Sequence, residues 1–411
     1  MFATLAVMSN DGLTAPDPAA TDVVQPSSAR DAAATLKRLS EEGLSTVVRG
    51  SGTKMDWGRP ASKIDVMLDM RRLNRVLEHQ HGDLTATIEA GATLRDVNDV
   101  LSRLGQGLPL DPPFADEATI GGILATNDSG PLRHRYGAPR DLVIGVQLAT
   151  TDGELTKAGG KVVKNVAGYD LSRLIAGSFG SLAAIVSATF KLSPIPDASK
   201  TIRLAARDAA ALAQIVRAVM SSQLDPMAFE VGAAPPGAGA PSSPAAPRLH
   251  ALVRFASLAA AVDAQVAGAT AALQPLAESV QVIEGYAERT LWRTHASQLW
   301  EKPGAIVRAS WLPASIANVL DELPGDAELV GRGAVGAGLV RIGGDETEQA
   351  RVIGALRHSP HFGNVVIRRG SPKLKTLVDV WGPQGDRGRL LAAMKRAFDP
   401  NGVLNAGRGP L

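Results

Sequence analysis

Apolar positions change period several times along this chain, and each change marks an element. Leu36 and Leu39 share one face of a predicted helix at about Ala29–Glu42, after which Thr46–Arg49 reads as a strand. Asp65–Asp69 reads as a second strand, and Thr85–Glu89 alternates as a third. Thr93 is placed to cap a helix running through Leu104. Residues before Leu108 therefore form a small lobe of mixed strands and helices. From Pro109 to Pro194, Gly, Asn and Asp cluster between strand-like runs at Leu142–Ala149, Glu154–Lys157 and Ala183–Leu192. That texture predicts strands and loops with few long helices.

The C-terminal half repeats a strand–helix–strand rhythm. Thr201–Ala206, Ala209–Ser221 and Met227–Val231 make one unit; Arg248–Phe255, Leu258–Leu276 and Val280–Glu284 make the next. Ala305–Trp311, Ala314–Leu323 and Glu328–Val330 make a third, and Leu339–Ile342, Glu346–Arg357 and Val365–Arg368 a fourth. Paired units of this kind build split-βαβ, ferredoxin-like layers. Gly232–Pro247, between the first two, has too few large apolar residues to pack and reads as a loop. The stretch before Val23, rich in Ala, Pro, Asp and Thr, reads as a loosely ordered tail.

Composition narrows what these elements can do. A chain of 411 residues exceeds one ordinary core and implies two or three domains. A net charge of +2, from 43 basic and 41 acidic residues, lacks the excess that nucleic-acid binding usually requires. Without cysteine there is no disulfide, thiolate metal site, iron–sulfur ligation or cysteinyl cofactor link. Redox chemistry would need a borrowed carrier, with any iron–sulfur relay in another chain. Met1–Met8 is apolar but lacks a basic flank and a cleavage site, so no secretory signal is expected. No apolar run approaches the ~20 residues of a membrane span. The Ala-rich run from Ala251 carries Arg254 and Asp263 and reads as an amphipathic helix.

Candidate chemistry starts at Arg49-Gly50-Ser51-Gly52-Thr53-Lys54. A strand feeding this loop brings successive backbone N–H groups into a concave turn, and the glycines permit positive φ and close approach of an anion. Alone, such a G-x-G is a tight surface turn, and Met55 stands where the Rossmann pattern needs its third glycine. Further turns follow in order: Ala118-Thr119-Ile120-Gly121-Gly122, Thr126-Asn127-Asp128-Ser129-Gly130, the run Lys161–Leu171, and Gly177-Ser178-Phe179-Gly180-Ser181-Leu182. Gly331–Gly336 also fits G-x-G-x-x-G, but the strand-like Ala337–Ile342 follows it, so a glycine-rich hairpin is expected.

This ordered set resembles the PCMH-type FAD-binding domain of the vanillyl-alcohol oxidase family. Phe398–Arg408 (F-D-P-N-G-V-L-N-A-G-R) resembles the ending of FAD-linked 2-hydroxy-acid dehydrogenases. The K-N-V-A-G-Y-D-L run, short cap and total length are similar to the FAD-binding E subunits of bacterial glycolate oxidase complexes. The resemblance implies an α+β protein: a PCMH-type two-lobed FAD-binding domain over 24–196, then a ferredoxin-like (split βαβ) cap over 197–385. The tail would cover 1–23, a low-complexity loop 232–247, and a C-terminal helix and tail 386–411 would return to the flavin. It further implies that Arg49, Gly50, Ser51, Gly52, Thr53 and Lys54, with Ala118, Thr119, Gly121 and Gly122, hold the FAD pyrophosphate. Asn127 and Ser129 would bond ribose or phosphate, Gly180 and Ile185 would line the adenosine side, and Asn405 would approach the isoalloxazine. Thr53 stands where many relatives carry the histidine that links flavin covalently, so FAD is expected to be non-covalent.

No metal site is expected. His250, His295, His358 and His361 are scattered, each reads as exposed or satisfied, and no catalytic base stands out. Arg332 and Arg341 are candidates to meet a substrate carboxylate. Trp292, Trp300 and Trp311, with Arg293 and Arg308, read as core or as a flavin- or partner-facing surface. The implied function is the FAD-binding subunit of a glycolate oxidase (glycolate dehydrogenase) complex. Its expected partners are a sister flavoprotein subunit and an iron–sulfur subunit. Its expected location is the cytoplasm, with a peripheral place at the inner membrane through partners left open. The alternatives are a self-sufficient FAD-dependent 2-hydroxy-acid (lactate-type) dehydrogenase and a non-catalytic assembly subunit with structural flavin.

Overall fold

The computed structural model describes residues 20–61, 63–160, 170–235 and 248–410. Most of the expected tail, positions 161–169 of the K-N-V-A-G-Y run and most of the low-complexity loop lie outside these residues. Asp22–Val24 is already a strand, so the ordered domain begins before the expected boundary at 24.

The first lobe is a three-stranded parallel sheet in which Val66–Asp69 lies between Asp22–Val24 and Thr46–Arg49. Helix Ala29–Glu41 is capped by Ser28, whose hydroxyl accepts from Asp31 N at 3.1 Å. Its Ala32, Ala33 and Leu36 pack against Leu68, Ala149 and Ala184. The second lobe is a five-stranded antiparallel sheet, in the order 76–80, 85–89, 184–191, 143–149, 155–159. Its described helices between 109 and 194 are short, as the Gly- and Asn-rich texture predicts.

The cap is one eight-stranded antiparallel sheet: β1 (Ala198–Ala206), β2 (Ala228–Ala233), β3 (Leu249–Ser257), β4 (Ser279–Glu284), β5 (Ala305–Trp311), β6 (Glu328–Arg332), β7 (Ala337–Ile342) and β8 (Phe362–Arg369). The order across it is β4-β1-β3-β2-β6-β7-β5-β8. The four repeats thus collapse into two split-βαβ halves that join where β2 pairs with β6. The Ala-rich run from Ala251 is first a strand, β3, and becomes helical only at Ala259–Leu273. Gly331–Gly336 is a hairpin: Gly331 and Gly338 face each other across β6 and β7.

The C-terminal tail returns to the first lobe. Thr46 N donates to Val403 O and Asn405 N to Thr46 O, both at 2.8 Å, which lays the tail beside Thr46–Arg49. Buried Asp399 fixes the turn that allows this, accepting from Val403 N at 3.2 Å, Leu404 N at 2.8 Å and Lys395 Nζ at 2.5 Å.

Candidate functional site

The glycine loop is fixed where it leaves its strand. Arg49 Nη2 donates to Asp69 Oδ2 at 2.8 Å, and Asp69 is fully buried and also held by Arg71 and Gln25. Burial alone would raise the Asp69 pKa, but hydrogen bonds from Arg71 and Arg49 outweigh it and hold the carboxyl well below its usual range. The glycines are sterically required. A Cβ on Gly50 would lie 2.0 Å from Thr119 Oγ1, and Gly52 has φ +86°.

This loop forms one wall of a cavity of about 820 Å³. Arg49, Gly50, Ser51, Gly52, Thr53, Lys54, Thr119, Gly121, Gly122, Gly180, Ile185 and Asn405 all line it, as expected. Three expected residues do not. Ala118 is buried and absent from the lining. Asn127, at φ 47°, ends the helix Ile120–Thr126, and its side chain accepts from Arg140 N. Ser129 lines a second cavity instead. The A-T-I-G-G segment is also not a free turn, because Thr119 caps that helix and Gly121 and Gly122 form its first turn. Asn405 and Gly180, expected at opposite ends of the cofactor, are neighbours: Asn405 Nδ2 donates to Phe179 O, and a Cβ on Gly180 would lie 2.8 Å from Nδ2.

Sequence reasoning missed Trp57, Thr126, Phe179 and Arg408 in the lining. Phe179 carried a local signal, since it sits at φ 55° between two loop glycines.

The second cavity, of about 570 Å³, lies between the flavin-type domain and the cap. Arg133, Asp111 and Asp128 line it from one side, and Glu230, His295, Arg308 and Arg332 from the cap. A buried cluster joins the two cavities. Trp57 stacks on Trp300 at 5.6 Å and 13°, and Arg368 lies over Trp57 at 5.0 Å and over Phe179 at 5.8 Å. Lys54 Nζ, Arg368 Nε and Nη1, and Asp128 Oδ2 are buried with no hydrogen-bond partner among the described residues. Burial pushes Lys54 down to about 8, with Asp128 opposing and Arg368 assisting. Burial likewise lowers Arg368 to about 10 and depresses Arg308, and it raises Asp111 to about 7. Among the described residues, the cations Lys54, Arg133, Arg308 and Arg332, with neighbouring Arg368, outnumber the carboxylates Asp111, Asp128 and Glu230 that line the cavities. Unpaired buried charge is costly, so this excess of cations calls for anionic ligands.

Of the two arginine candidates, Arg332 lines the second cavity. It lies 3.3 Å from Glu230, and its Nη1 donates to Ser129 O at 3.2 Å. Arg341 lines neither cavity. It is committed to Glu328, Pro303 O and Asp326 O, so it is not placed to meet a ligand. Trp300 and Arg308 belong to the site; Trp311 is core and Trp292 donates to Thr201. His358 contacts Gly354 O, and His361 contacts Glu322 and Asn318. His295 differs from both: it is buried, and its Nε2 lies 3.1 Å from Glu230 Oε2.

The first cavity fits a dinucleotide flavin. Its walls combine a glycine cradle that side chains would fill, apolar Val47, Val48, Met70 and Ala183, and the unpartnered Lys54 ammonium.

Residues 20–159 match the family described as FAD binding domain. Glycolate oxidase subunit GlcD of Bacillus subtilis is 33% identical over 51% of this chain and 44% of its own length. Glycolate oxidase subunit GlcE of Escherichia coli is 39% identical over 38% of this chain and 45% of its own. The chain thus matches under half the length of these two relatives. D-2-hydroxyglutarate dehydrogenase of Xanthomonas citri is 28% identical over 96% of this chain and 89% of its own. Among solved structures, p-cresol methylhydroxylase superposes with a TM-score of 0.71 at 16% identity, over 94% of this chain and 88% of that one. No described helix is long and apolar enough to cross a membrane. Residues 20–159 thus match an FAD binding domain, whose cofactor is FAD, within an α+β fold shared with p-cresol methylhydroxylase.

Proposed function

We propose that the chain is an FAD-dependent oxidoreductase that converts a small 2-hydroxy acid to the 2-oxo acid, as the FAD-binding subunit of a glycolate oxidase type of complex. The observation that carries this reading is the buried cation cluster shared by the two cavities. It suits a flavin on one side and a carboxylate on the other. Arg49–Lys54, Thr119, Gly121 and Gly122 hold the FAD pyrophosphate through backbone N–H groups and the Lys54 charge. Phe179, Gly180 and Asn405 form one wall around the same molecule, and Thr53 offers no covalent link. When bound, the flavin supplies the two-electron acceptor for the hydride leaving Cα. The stacked Trp57 and Trp300, both buried, exclude water from the junction. Arg308 and Arg332 orient the substrate carboxylate. With no cysteine of its own, the chain passes its electrons to a partner's iron–sulfur centre.

The near full-length likeness to a D-2-hydroxyglutarate dehydrogenase favours a second reading, a self-sufficient dehydrogenase. Purification from native cells separates the two. The first reading expects co-purifying chains that carry iron–sulfur clusters, together with anaerobic bleaching of the flavin by glycolate. A lone chain active toward longer hydroxy acids would favour the second, and flavin that no 2-hydroxy acid bleaches would contradict both.

A further inference from the structure

Two buried arginines stand side by side at the end of β8, and only one of them is satisfied. Arg369 donates to the carbonyls of Trp300, at 2.6 Å, and of Leu299, Gly304 and Lys302, which ties β8 to the loop after helix Gly285–Ser297. Arg368 has no such role. Pairing between β5 and β8 runs from Ile306 to Arg369 and from Val307 to Ile367, so Arg368 is the extra residue of a β-bulge. A bulge re-aims one side chain out of the strand's alternation. Arg368 is 3% exposed, yet its Nε and Nη1 have no hydrogen-bond partner among the described residues. Asp128 attracts it only through space and is shared with Lys54 and Arg308. Burying a guanidinium without a partner is costly, so the bulge holds a cation in readiness for a charge that a ligand brings.

Arg368 stands behind one wall of the first cavity, 5.0 Å from the centre of the Trp57 ring and 5.8 Å from that of Phe179. Both rings line that cavity. The loop Arg49–Lys54 already offers the pyrophosphate its own cation, Lys54. Arg368 belongs to the cap, so it approaches the first cavity from the side on which the functional reading seats the hydroxy acid. Aromatic walls suit the flat flavin ring better than phosphate, and in a dry interior a charge acts across a side chain without touching its partner.

We propose that Arg368 tunes the bound flavin: it stabilises the negative charge that the ring gains on reduction and so raises the reduction potential of the FAD. The inference rests on the oxidoreductase reading above. A hydride carries two electrons and one proton, so the neutral oxidised ring gains one negative charge when it accepts one. Arg368 acts through space and is not a catalytic residue. It favours reduced over oxidised FAD, whereas a cation on the pyrophosphate favours both alike.

The test uses the full-length, FAD-loaded chain as wild type, Arg368→Met and Arg368→Lys. The midpoint potential is read against a reference dye, oxidised FAD is titrated into apo-protein, and sulfite is titrated into the oxidised holoprotein. Arg368→Met should bind oxidised FAD as wild type does. Its potential should fall by at least about 30 mV, which is a tenfold loss of preference for reduced flavin in a two-electron couple. Sulfite leaves a negative charge on the ring when it adds, so its affinity should fall by at least about tenfold. Arg368→Lys keeps the charge and should stay near the wild-type potential. An unmoved potential in Arg368→Met overturns the inference. So does a loss of oxidised FAD with no shift in potential, which would make the guanidinium a pyrophosphate ligand. If Arg368→Met does not fold, Arg368→Gln is read in its place with the same outcomes. A wild type that no 2-hydroxy acid reduces would overturn the functional reading, while a lowered potential in Arg368→Met would still stand.

Discussion

Lys54 carries much of the site's electrostatics. Its ammonium is buried, lies 5.5 Å from the centre of the Trp57 ring, and has no hydrogen-bond partner among the described residues. Burial lowers its pKa to about 8 from the ordinary lysine value of 10.5. The unfolded chain keeps this proton up to the higher value, so between pH 8 and 10.5 the apo-protein gains stability as pH rises. FAD affinity runs the opposite way, because an anionic ligand wants the ammonium. The dissociation constant for FAD should therefore rise above pH 8, by up to about tenfold per unit, in equilibrium titrations of the apo-protein. Lys54→Arg keeps the charge and should flatten that dependence. Thr53 sets a second expectation: trichloroacetic acid should release all the flavin into the supernatant, and flavin left on the pellet would mean a covalent bond.

The Arg49–Lys54 loop was legible in the sequence because its requirements are local: a strand, two glycines and a polar tip. The helix start at Thr93 was legible for the same reason, a hydroxyl placed ahead of an apolar face. His295 and Glu230 were not, because they are 65 positions apart and meet only after the cap folds. Arg341 misled because it shares the Gly331–Ile342 hairpin with Arg332, but it pairs with Glu328 on the neighbouring strand. Trp57 follows the loop closely in sequence, but its role depends on Trp300 in the cap.

At the scale of elements, the C-terminal tail lies beside Thr46–Arg49 through a bridge between Thr46 and Leu404, and Asp399 makes its turn. Asp399 is 1% exposed and accepts from Lys395 and two backbone N–H groups. Asp399→Ala takes the carboxylate from Lys395, which keeps Ser181 O and Leu404 O, and leaves the buried Val403 and Leu404 N–H groups unmet. It should cost about 3–5 kcal/mol, the usual penalty for breaking a buried pair, read as a lower urea midpoint. It should also raise amide exchange at Leu404 and Asn405, and with them weaken FAD retention, since Asn405 lines the cavity. The cap's strand order shows the opposite side of legibility. The four strand–helix–strand repeats were readable from periodicity. Their interleaving into β4-β1-β3-β2 and β6-β7-β5-β8 was not, because strand pairing is set by contacts distant in sequence.

At the scale of the whole molecule, the flavin-type domain and the cap are joined by stacking and ion pairs at the junction. Trp57 meets Trp300, Arg59 donates to Asp379 at 2.7 Å, and Arg135 pairs with Asp225 at 3.0 Å. Trp57→Ala removes a ring that is 1% exposed. Its expected cost is about 3–5 kcal/mol, as for other buried aromatics. Because the lost ring separates the two cavities, solvent quenching of the bound flavin's fluorescence should change as well.

All of this depends on FAD lying in the first cavity with its pyrophosphate on Arg49–Lys54. The most direct measurement is a titration of apo-protein with FAD, comparing wild type with Gly52→Asp and Gly52→Asn. Both side chains meet the same backbone strain at the positive φ of Gly52, so the pair differs mainly by one negative charge. One FAD should bind per wild-type chain, Gly52→Asn should bind more weakly, and Gly52→Asp should lose at least about 100-fold beyond that through repulsion of the pyrophosphate. Equal FAD affinity in Gly52→Asp and Gly52→Asn would contradict the placement.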